Sequence, residues 1–190
     1  SVTVLKEGCF SFDFDLTNIN VFPNNIHNII FFDNKYIIGK SDIKSDIFDV
    51  LLFARSDITS ARIPSFIRKI GQFAFTNCNN LINVEFSDDS QLTVIGKNAF
   101  EATSLNSISI PRHVTRIEYC AFARCKNLKN ISIHNDSELK SIGDNAFDNT
   151  IIESFYFPPN LTHFNHAFSS CFYLNLIEID ENSKFQLMYY

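Results

Sequence analysis

The dipeptide Ala-Phe recurs five times in this chain of 190 residues, and this repetition limits the possible folds more than any other feature. Successive phenylalanines are 25, 22, 25 and 21 residues apart, and an isoleucine lies five positions before each of the first four. Repetition at this period is typical of solenoid proteins, in which each repeat buries its apolar side against its neighbours. The repeated dipeptides are Ala74-Phe75, Ala99-Phe100, Ala121-Phe122, Ala146-Phe147 and Ala167-Phe168.

Each Ala-Phe is followed by an apolar-x-x-apolar-x-apolar pattern whose last positions alternate with polar residues, as in a half-buried strand. Two kinds of turn then follow in alternation. Ile63-Pro64, Ile110-Pro111 and Phe157-Pro158 recur at intervals of 47 residues, and polar acidic bends at 87–90 and 134–137 lie between them. We therefore expect pairs of unlike coils, each with a strand, a turn, a second short strand and a short helical turn at Ala-Phe.

Composition supports a folded protein and excludes some functions. Hydrophobic residues make up 45% of the chain and charged residues 19%, with a net charge of −5, which is an ordinary globular balance. The mild acidity argues against nucleic-acid binding, which requires a basic surface. No apolar run approaches the length of a membrane span, and residues 1–7 do not resemble a secretory signal.

Two segments of the chain, 63–86 and 110–133, follow the consensus Ile-Pro-x-x-[Ile/Val]-x-x-Ile-Gly-x-x-Ala-Phe-x-x-Cys-x-x-Leu-x-x-[Ile/Val]-x-Ile, with Phe86 in place of the last Ile and Glu118 in place of the Gly. This pattern resembles the leucine-rich repeat of BspA-like surface proteins, and residues 49–58 resemble the trichomonad branch of that family. The resemblance implies an α/β repeat solenoid: a right-handed stack of leucine-rich-repeat coils, rich in β-structure, with a parallel sheet and short helical turns. It also implies a cell-surface or secreted protein that binds a protein, extracellular-matrix or host-cell partner in adhesion or host interaction.

The repeat divides the chain into two parts. We predict an N-terminal capping segment at 1–57 and a leucine-rich-repeat solenoid at 58–190, with about five coils and a truncated sixth. Within the first part, alternation at Phe10, Phe12 and Phe14 predicts a strand, and segments 29–32 and 36–38 predict a hairpin. Independent folding of the first part is the alternative to a cap. Phe185 and Met188 continue the repeat pattern, so the last coil either caps the array or leads into further coils.

Cysteines and histidines are the obvious candidates for chemistry. Cys78, Cys125 and Cys171 occupy one repeat position, three residues after the Phe, which predicts small side chains facing the core. Equivalent positions two coils apart lie roughly 10 Å from each other, too far for a disulfide. The sequence contains no CxxC, phosphate-binding loop or hydrolase motif, so we predict no catalytic residue, no cofactor and no metal site.

Alternation along the strands predicts which side chains point outward and form a binding surface. Tyr156 and Leu176 are its large side chains, and tyrosine is favoured at binding hot spots. The turn residues Asn135 and Asn160 are candidate glycosylation sites. Basic side chains near Arg68 and Arg116 indicate either a stripe for an acidic partner or ordinary solvated surface. The predicted partner-binding residues are Asn83, Glu85, Ser107, Ser109, Asn130, Ser132, Ser154, Tyr156, Leu176 and Glu178.

The functional hypothesis is a non-catalytic protein-binding module, with the adhesion role implied by the resemblance alone. An intracellular leucine-rich-repeat scaffold is one alternative, because no signal or anchor is visible and a cytoplasmic location would suit unpaired cysteines. A hydrolase site in the N-terminal segment is a second alternative, without a supporting motif. The sequence does not identify the partner or the oligomeric state.

Overall fold

The computed structural model describes residues 5–9, 17 and 28–184 and shows a solenoid of about six coils built from parallel strands. The predicted fold class is confirmed. The described residues form thirteen strands and no helix, and hence no helix that is long and apolar enough to cross a membrane. The strands are β1 (Ile29–Phe32), β2 (Tyr36–Gly39), β3 (Val50–Ala54), β4 (Ser60–Ile63), β5 (Lys69–Ile70), β6 (Asn83–Phe86), β7 (Val94–Ile95), β8 (Ser107–Ile110), β9 (Arg116–Ile117), β10 (Asn130–Ile133), β11 (Ser141–Ile142), β12 (Ser154–Phe157) and β13 (Leu176–Ile179).

The short strands of successive coils stack into one sheet. Its order is β1-β2-β3-β5-β7-β9-β11, and all pairs from β3 onward are parallel. The register aligns Ile70 with Ile95, Ile95 with Ile117 and Ile117 with Ile142, so one buried isoleucine from each coil forms a continuous row. This row forms one wall of the core.

The longer strands form a second wall, which is divided into pairs. β4 pairs with β6, β8 with β10, and β12 with β13, each in parallel register over four residues. Among the described strands no ladder joins β6 to β8 or β10 to β12. The first strand of each pair is followed by a Pro turn, and in the first two pairs the second strand is followed by an acidic bend. The 47-residue period of the sequence is therefore also a period of the structure.

The Ala-Phe segments form the third side of each coil. They consist of successive turns rather than the predicted short helical turns, because the residues two before and two after each Phe have positive φ. Around Phe100, for example, Asn98 and Ala102 have φ of 55° and 57°. This conformation points backbone groups toward the next coil, where Phe100 N–H donates to Ala121 O at 2.8 Å. The backbone hydrogen bonds of this side therefore join coils as a sheet ladder does.

The five repeated phenylalanines form a single internal row. Stacked ring pairs join Phe75 to Phe100, Phe100 to Phe122, Phe122 to Phe147 and Phe147 to Phe168, with centroids 4.9 to 5.6 Å apart. The first four rings are completely buried, and the alanine before each ring is buried as well. The predicted alignment of these residues in the core is confirmed.

The N-terminal end of this row is covered. β1 and β2 form the predicted antiparallel hairpin, and the buried Tyr36 places its ring edge-on against Phe75 at 6.2 Å. β3 precedes the predicted boundary at residue 58 and is paired in parallel with β5 of the first coil. The strand predicted at Phe10 to Phe14 lies outside the described residues. The division into a cap and a solenoid stays a prediction.

The C-terminal end is more open. Every residue of β13 is exposed, including Ile177 and Ile179, which occupy the inward positions of the repeat. Phe172, which precedes β13 in the chain, is 88% exposed. The predicted repeat positions Phe185 and Met188 lie outside the described residues.

Candidate partner-binding face

The ten predicted partner-binding residues lie together on one side of the solenoid, which we call the outer face. They occupy the first and third positions of β6, β8, β10, β12 and β13, and all are exposed except Tyr156, which is half-buried. This arrangement follows from the pleat: alternate side chains of β8 point to opposite sides, so Ser107 and Ser109 are exposed while Ile108 and Ile110 are buried.

A polar network covers the N-terminal part of the outer face. The Glu85 carboxylate accepts hydrogen bonds from Arg62 Nη2 at 3.1 Å and from Asn83 Nδ2 at 3.1 Å. Arg62 belongs to β4 and lies directly opposite Glu85 of β6 in the ladder. Both charged side chains are largely exposed, so we expect this pair to contribute little to stability.

Tyr156 is the largest side chain of the C-terminal part. Its hydroxyl donates a hydrogen bond of 2.5 Å to Asp180 Oδ2 in the following coil. Burial and this hydrogen bond raise the pKa of Tyr156 to about 12. The same contact lowers the pKa of the Asp180 carboxyl. The tyrosine ring is thus fixed in place, beside a Leu176 side chain that is 49% exposed.

A notch opens where the outer face meets the turns that follow β6, β8 and β10. It has a volume of about 390 Å³. Ser109 and Ser132 of the outer face contribute to its wall, and its apolar floor includes Phe86, Ile110 and Ile133. The complete lining consists of Phe86, Ser87, Asp88, Ser90, Ser109, Ile110, Pro111, Arg112, Ser132, Ile133, His134 and Asp136.

The alternation of turns explains the position of the notch. The Pro turn after β8 lies between the acidic bends that follow β6 and β10. The last residues of the two outer strands, Phe86 and Ile133, are half-buried, whereas Ile110 between them is buried. The missing ladder between β6 and β8 lies in the same place. The 47-residue alternation was visible in the sequence, but the notch was not predicted from it.

Charged groups of the notch are partly paired. Arg112 Nη1 lies 3.4 Å from Asp136 Oδ2, and His134 Nδ1 contacts the other oxygen of the same carboxylate. The Asp88 carboxylate also lines the notch, and within the described part of the chain it has no hydrogen bond or ion pair. The notch therefore contains one carboxylate that is not neutralised by a cationic neighbour.

The predicted core position is confirmed for Cys78 and Cys125, whereas Cys171 is half-buried and packs against the core. Cys78 and Cys125 are buried, and Cys125 Sγ lies 3.1 Å from Phe100 O of the preceding coil and 3.2 Å from Thr103 Oγ1. Burial raises the pKa of Cys78 to about 12 and that of Cys125 to about 11. Cys78, Cys120, Cys125 and Cys171 form no disulfide. Within the described residues no three His, Cys, Asp or Glu side chains are arranged to hold a metal ion.

The two candidate glycosylation sites differ in their exposure to solvent. Asn135 is exposed in its bend, whereas Asn160 is half-buried and its Nδ2 donates to Ser137 O at 3.3 Å. Glycosylation of either residue stays a prediction. In the region of the basic stripe, Lys69 pairs with Glu7 and Arg116 pairs with Glu118, which reduces the positive charge there.

Comparison with known proteins identifies the repeat. The sequence model of the BspA type leucine rich repeat region matches residues 46–175 in six copies. A search of curated proteins found no match.

Solved structures show the same fold at low sequence identity. The Pneumococcal vaccine antigen PcpA has a TM-score of 0.64 and 22% identity, over 82% of this chain and 39% of that one. A leucine-rich-repeat protein from Eubacterium ventriosum has a TM-score of 0.63 and 19% identity, over 91% and 45%. The T. pallidum leucine-rich-repeat protein has a TM-score of 0.62 and 21% identity, over 67% and 62%. The chain thus matches less than two thirds of the length of each of these structures.

Proposed function

Because the chain belongs to the BspA-type leucine-rich-repeat family, we propose that it is a non-catalytic module that binds a protein partner through the outer face. The observation that carries this proposal is the outer face itself. Five neighbouring strands present their outward side chains on one side of the solenoid, in ladder register within the pairs β8–β10 and β12–β13, and backbone hydrogen bonds join the coils along the Ala-Phe side. A fixed surface loses little conformational entropy on binding.

The side chains of the outer face suit contact with a large partner. Its centre, Ser107 and Ser109 with Asn130 and Ser132, consists of small polar residues that let another backbone approach closely. Tyr156 and Leu176 supply apolar contact area at one end, and the hydrogen bond to Asp180 holds the tyrosine in one position. We expect Tyr156 to contribute most of the binding energy, as fixed aromatic anchors do at interfaces.

Within this proposal the chain acts at a cell surface or after secretion, in adhesion or host interaction. Support comes from the family assignment and from similarity to a protein that is described as a vaccine antigen. Biotinylation of intact source cells tests the location, since a surface protein is labelled before lysis. Labelling only after lysis would contradict it.

Partner capture tests the outer face. The immobilised chain is incubated with host-cell extract and matrix proteins, and the bound proteins are quantified by mass spectrometry. Tyr156→Ala should reduce capture of the specific partner at least tenfold, corresponding to loss of about 1.4 kcal/mol. Tyr119→Ala is the matched control, because Tyr119 is 45% exposed and lies in the turns on another side of the coil. Equal capture by both variants, at equal thermal stability, would contradict the proposal.

An intracellular scaffold is the second candidate, and the cysteines favour it. Cys78, Cys120, Cys125 and Cys171 form no disulfide, and such thiols are common in proteins of reducing compartments. The biotinylation experiment separates the two candidates, since the scaffold should be protected in intact cells.

A further inference from the structure

We propose that the notch receives a basic side chain, lysine or arginine, of a polypeptide that lies along the outer face. This inference rests on the proposed function and specifies the partner's chemistry at one place. The notch is continuous with the outer face, because Ser109 and Ser132 belong to both. Its volume of about 390 Å³ falls within the range of roughly 300 to 1,000 Å³ that is usual for ligand pockets.

The charge of the notch favours a cation. Its ionisable groups are the carboxylates of Asp88 and Asp136, the Arg112 guanidinium and the His134 imidazole. Asp136 is already contacted by both Arg112 and His134. Asp88 has no such contact among the described residues, so a cation from outside would meet an unpaired carboxylate. An acidic side chain would instead meet a guanidinium that is already paired, and Asp88 would repel it.

The apolar part of the notch suits the same occupant. The half-buried Phe86 is two residues before Asp88, and its ring contributes to the lining. Lysine and arginine combine a cationic head with an aliphatic stem, which buries well against apolar surface. Aromatic rings attract such cations through their faces. Phe86, Ile110 and Ile133 therefore provide contact for the stem while Asp88 faces the charged group.

Hydroxyl groups complete the site. Ser87, Ser109 and Ser132 line the notch and are exposed. A hydroxyl oxygen accepts hydrogen bonds from ammonium and guanidinium groups. These oxygens, together with the Asp88 carboxylate, offer acceptors to an occupant whose head group only donates.

Two synthetic peptides test the inference by NMR titration of the labelled chain. The first is acetyl-Ser-Leu-Arg-Leu-Ser-amide, and the second carries citrulline, a neutral group of the same shape, in place of arginine. At millimolar concentration the arginine peptide should shift the amide signals of residues 86–90 and of Ser109, Ile110 and Arg112. The citrulline peptide should bind about fivefold more weakly, because one exposed ion pair contributes up to about 1 kcal/mol.

Asp88→Asn and Asp144→Asn form a matched pair of variants. Both remove one carboxylate, but Asp144 is exposed in the turns on another side of the coil. Asp88→Asn should lower the affinity for the arginine peptide to that for the citrulline peptide. Asp144→Asn should leave the affinity for the arginine peptide unchanged. Absence of shifts at the notch, equal affinity for the two peptides, or equal affinity of the two variants would each overturn the inference.

The peptide titration and the capture experiment test the notch and the proposed function separately. If capture depends on Tyr156 but the peptides do not bind the notch, this inference fails and the proposed function stands. If the peptides bind as expected but no partner is captured, the notch accepts basic side chains and the proposed function fails.

Discussion

The rings of Phe100 and Phe122 stack with centroids 5.2 Å apart and planes inclined by only 4°, although 22 residues separate them in the chain. The stack continues in both directions through Phe75 and Phe147. Each ring thus contacts residues of two other coils, and no coil buries its own ring alone. Stacked aromatic pairs contribute about 0.5 to 1.5 kcal/mol beyond the burial of their surface.

Phe100→Ala should therefore destabilise the protein strongly. The ring is completely buried and stacked on both faces. Its removal leaves a cavity between two coils, and substitutions of this kind cost about 3 to 5 kcal/mol. The midpoint of urea unfolding, followed by circular dichroism, should fall accordingly.

Phe172→Ala is the control for this substitution. Phe172 is 88% exposed, so its replacement should change stability by less than about 0.5 kcal/mol. Equal effects of the two substitutions would mean that burial of the phenylalanine row does not stabilise the protein.

Much of the fold could be predicted because the repeat fixes the register. Since every coil places Ala-Phe at the same position, the phenylalanine row and the two walls of parallel strands follow from the spacing of apolar residues. The conformation of the Ala-Phe turns could not be predicted from this spacing. Phe73, Cys120 and His166 all have positive φ, yet none is a glycine or asparagine that would indicate it. The ladder between coils, rather than the residue type, imposes this conformation.

The outer face could be predicted in outline and not in detail. Alternation within each strand shows which side chains point outward. It does not show that Tyr156 bonds to Asp180 or that Arg62 pairs with Glu85, because these contacts join different coils. The notch depends on the missing ladder between β6 and β8, a feature of coil packing that residue spacing does not reveal.

Gly96→Ala should be destabilising because the neighbouring coil approaches too closely. A Cβ at this position would lie 2.6 Å from Ile70 O and 3.0 Å from Gln72 N, both backbone atoms. The coil would have to move away from its neighbour, which weakens the hydrogen bond from Gly96 N to Ile70 O. We expect a loss of more than about 1 kcal/mol in urea unfolding. Lys97→Ala, at the next and exposed position, should be nearly neutral, and similar losses would contradict this explanation.

Cys125→Thr should be tolerated better than Cys125→Ala. Threonine fills the equivalent position in neighbouring coils, where Thr150 Oγ1 donates to Phe147 O at 2.8 Å. Alanine leaves a small void and removes the contacts of the Cys125 thiol with Phe100 O and with the buried Thr103 hydroxyl, of which only Phe100 O keeps a hydrogen bond, from Thr103 N. An unsatisfied buried polar group costs about 1 to 3 kcal/mol. Calorimetric melting should rank wild type and Cys125→Thr above Cys125→Ala, and the reverse order would exclude the polar role.

Alkaline pH should destabilise the protein through its buried thiols. Burial raises the pKa of Cys78 to about 12 and that of Cys125 to about 11, from an ordinary value of 9.0. Above pH 9 the unfolded chain releases these protons while the folded chain retains them. The stabilisation is therefore complete below pH 9 and is lost as the pH rises toward 11 to 12. Urea midpoints measured between pH 7 and 11 should fall accordingly.

A Cys78→Thr/Cys125→Thr variant isolates this effect, because threonine does not titrate in that range. The pKa values of Cys120, Cys171, Tyr36 and Tyr156 are raised as well, and these groups remain in both proteins, so both should lose some stability above pH 9. The wild type should lose more stability than the variant, and this difference should appear from about pH 9 upward. Identical pH profiles for the two proteins would show that the thiols ionise as easily in the folded chain as in the unfolded one, which is incompatible with their burial between coils.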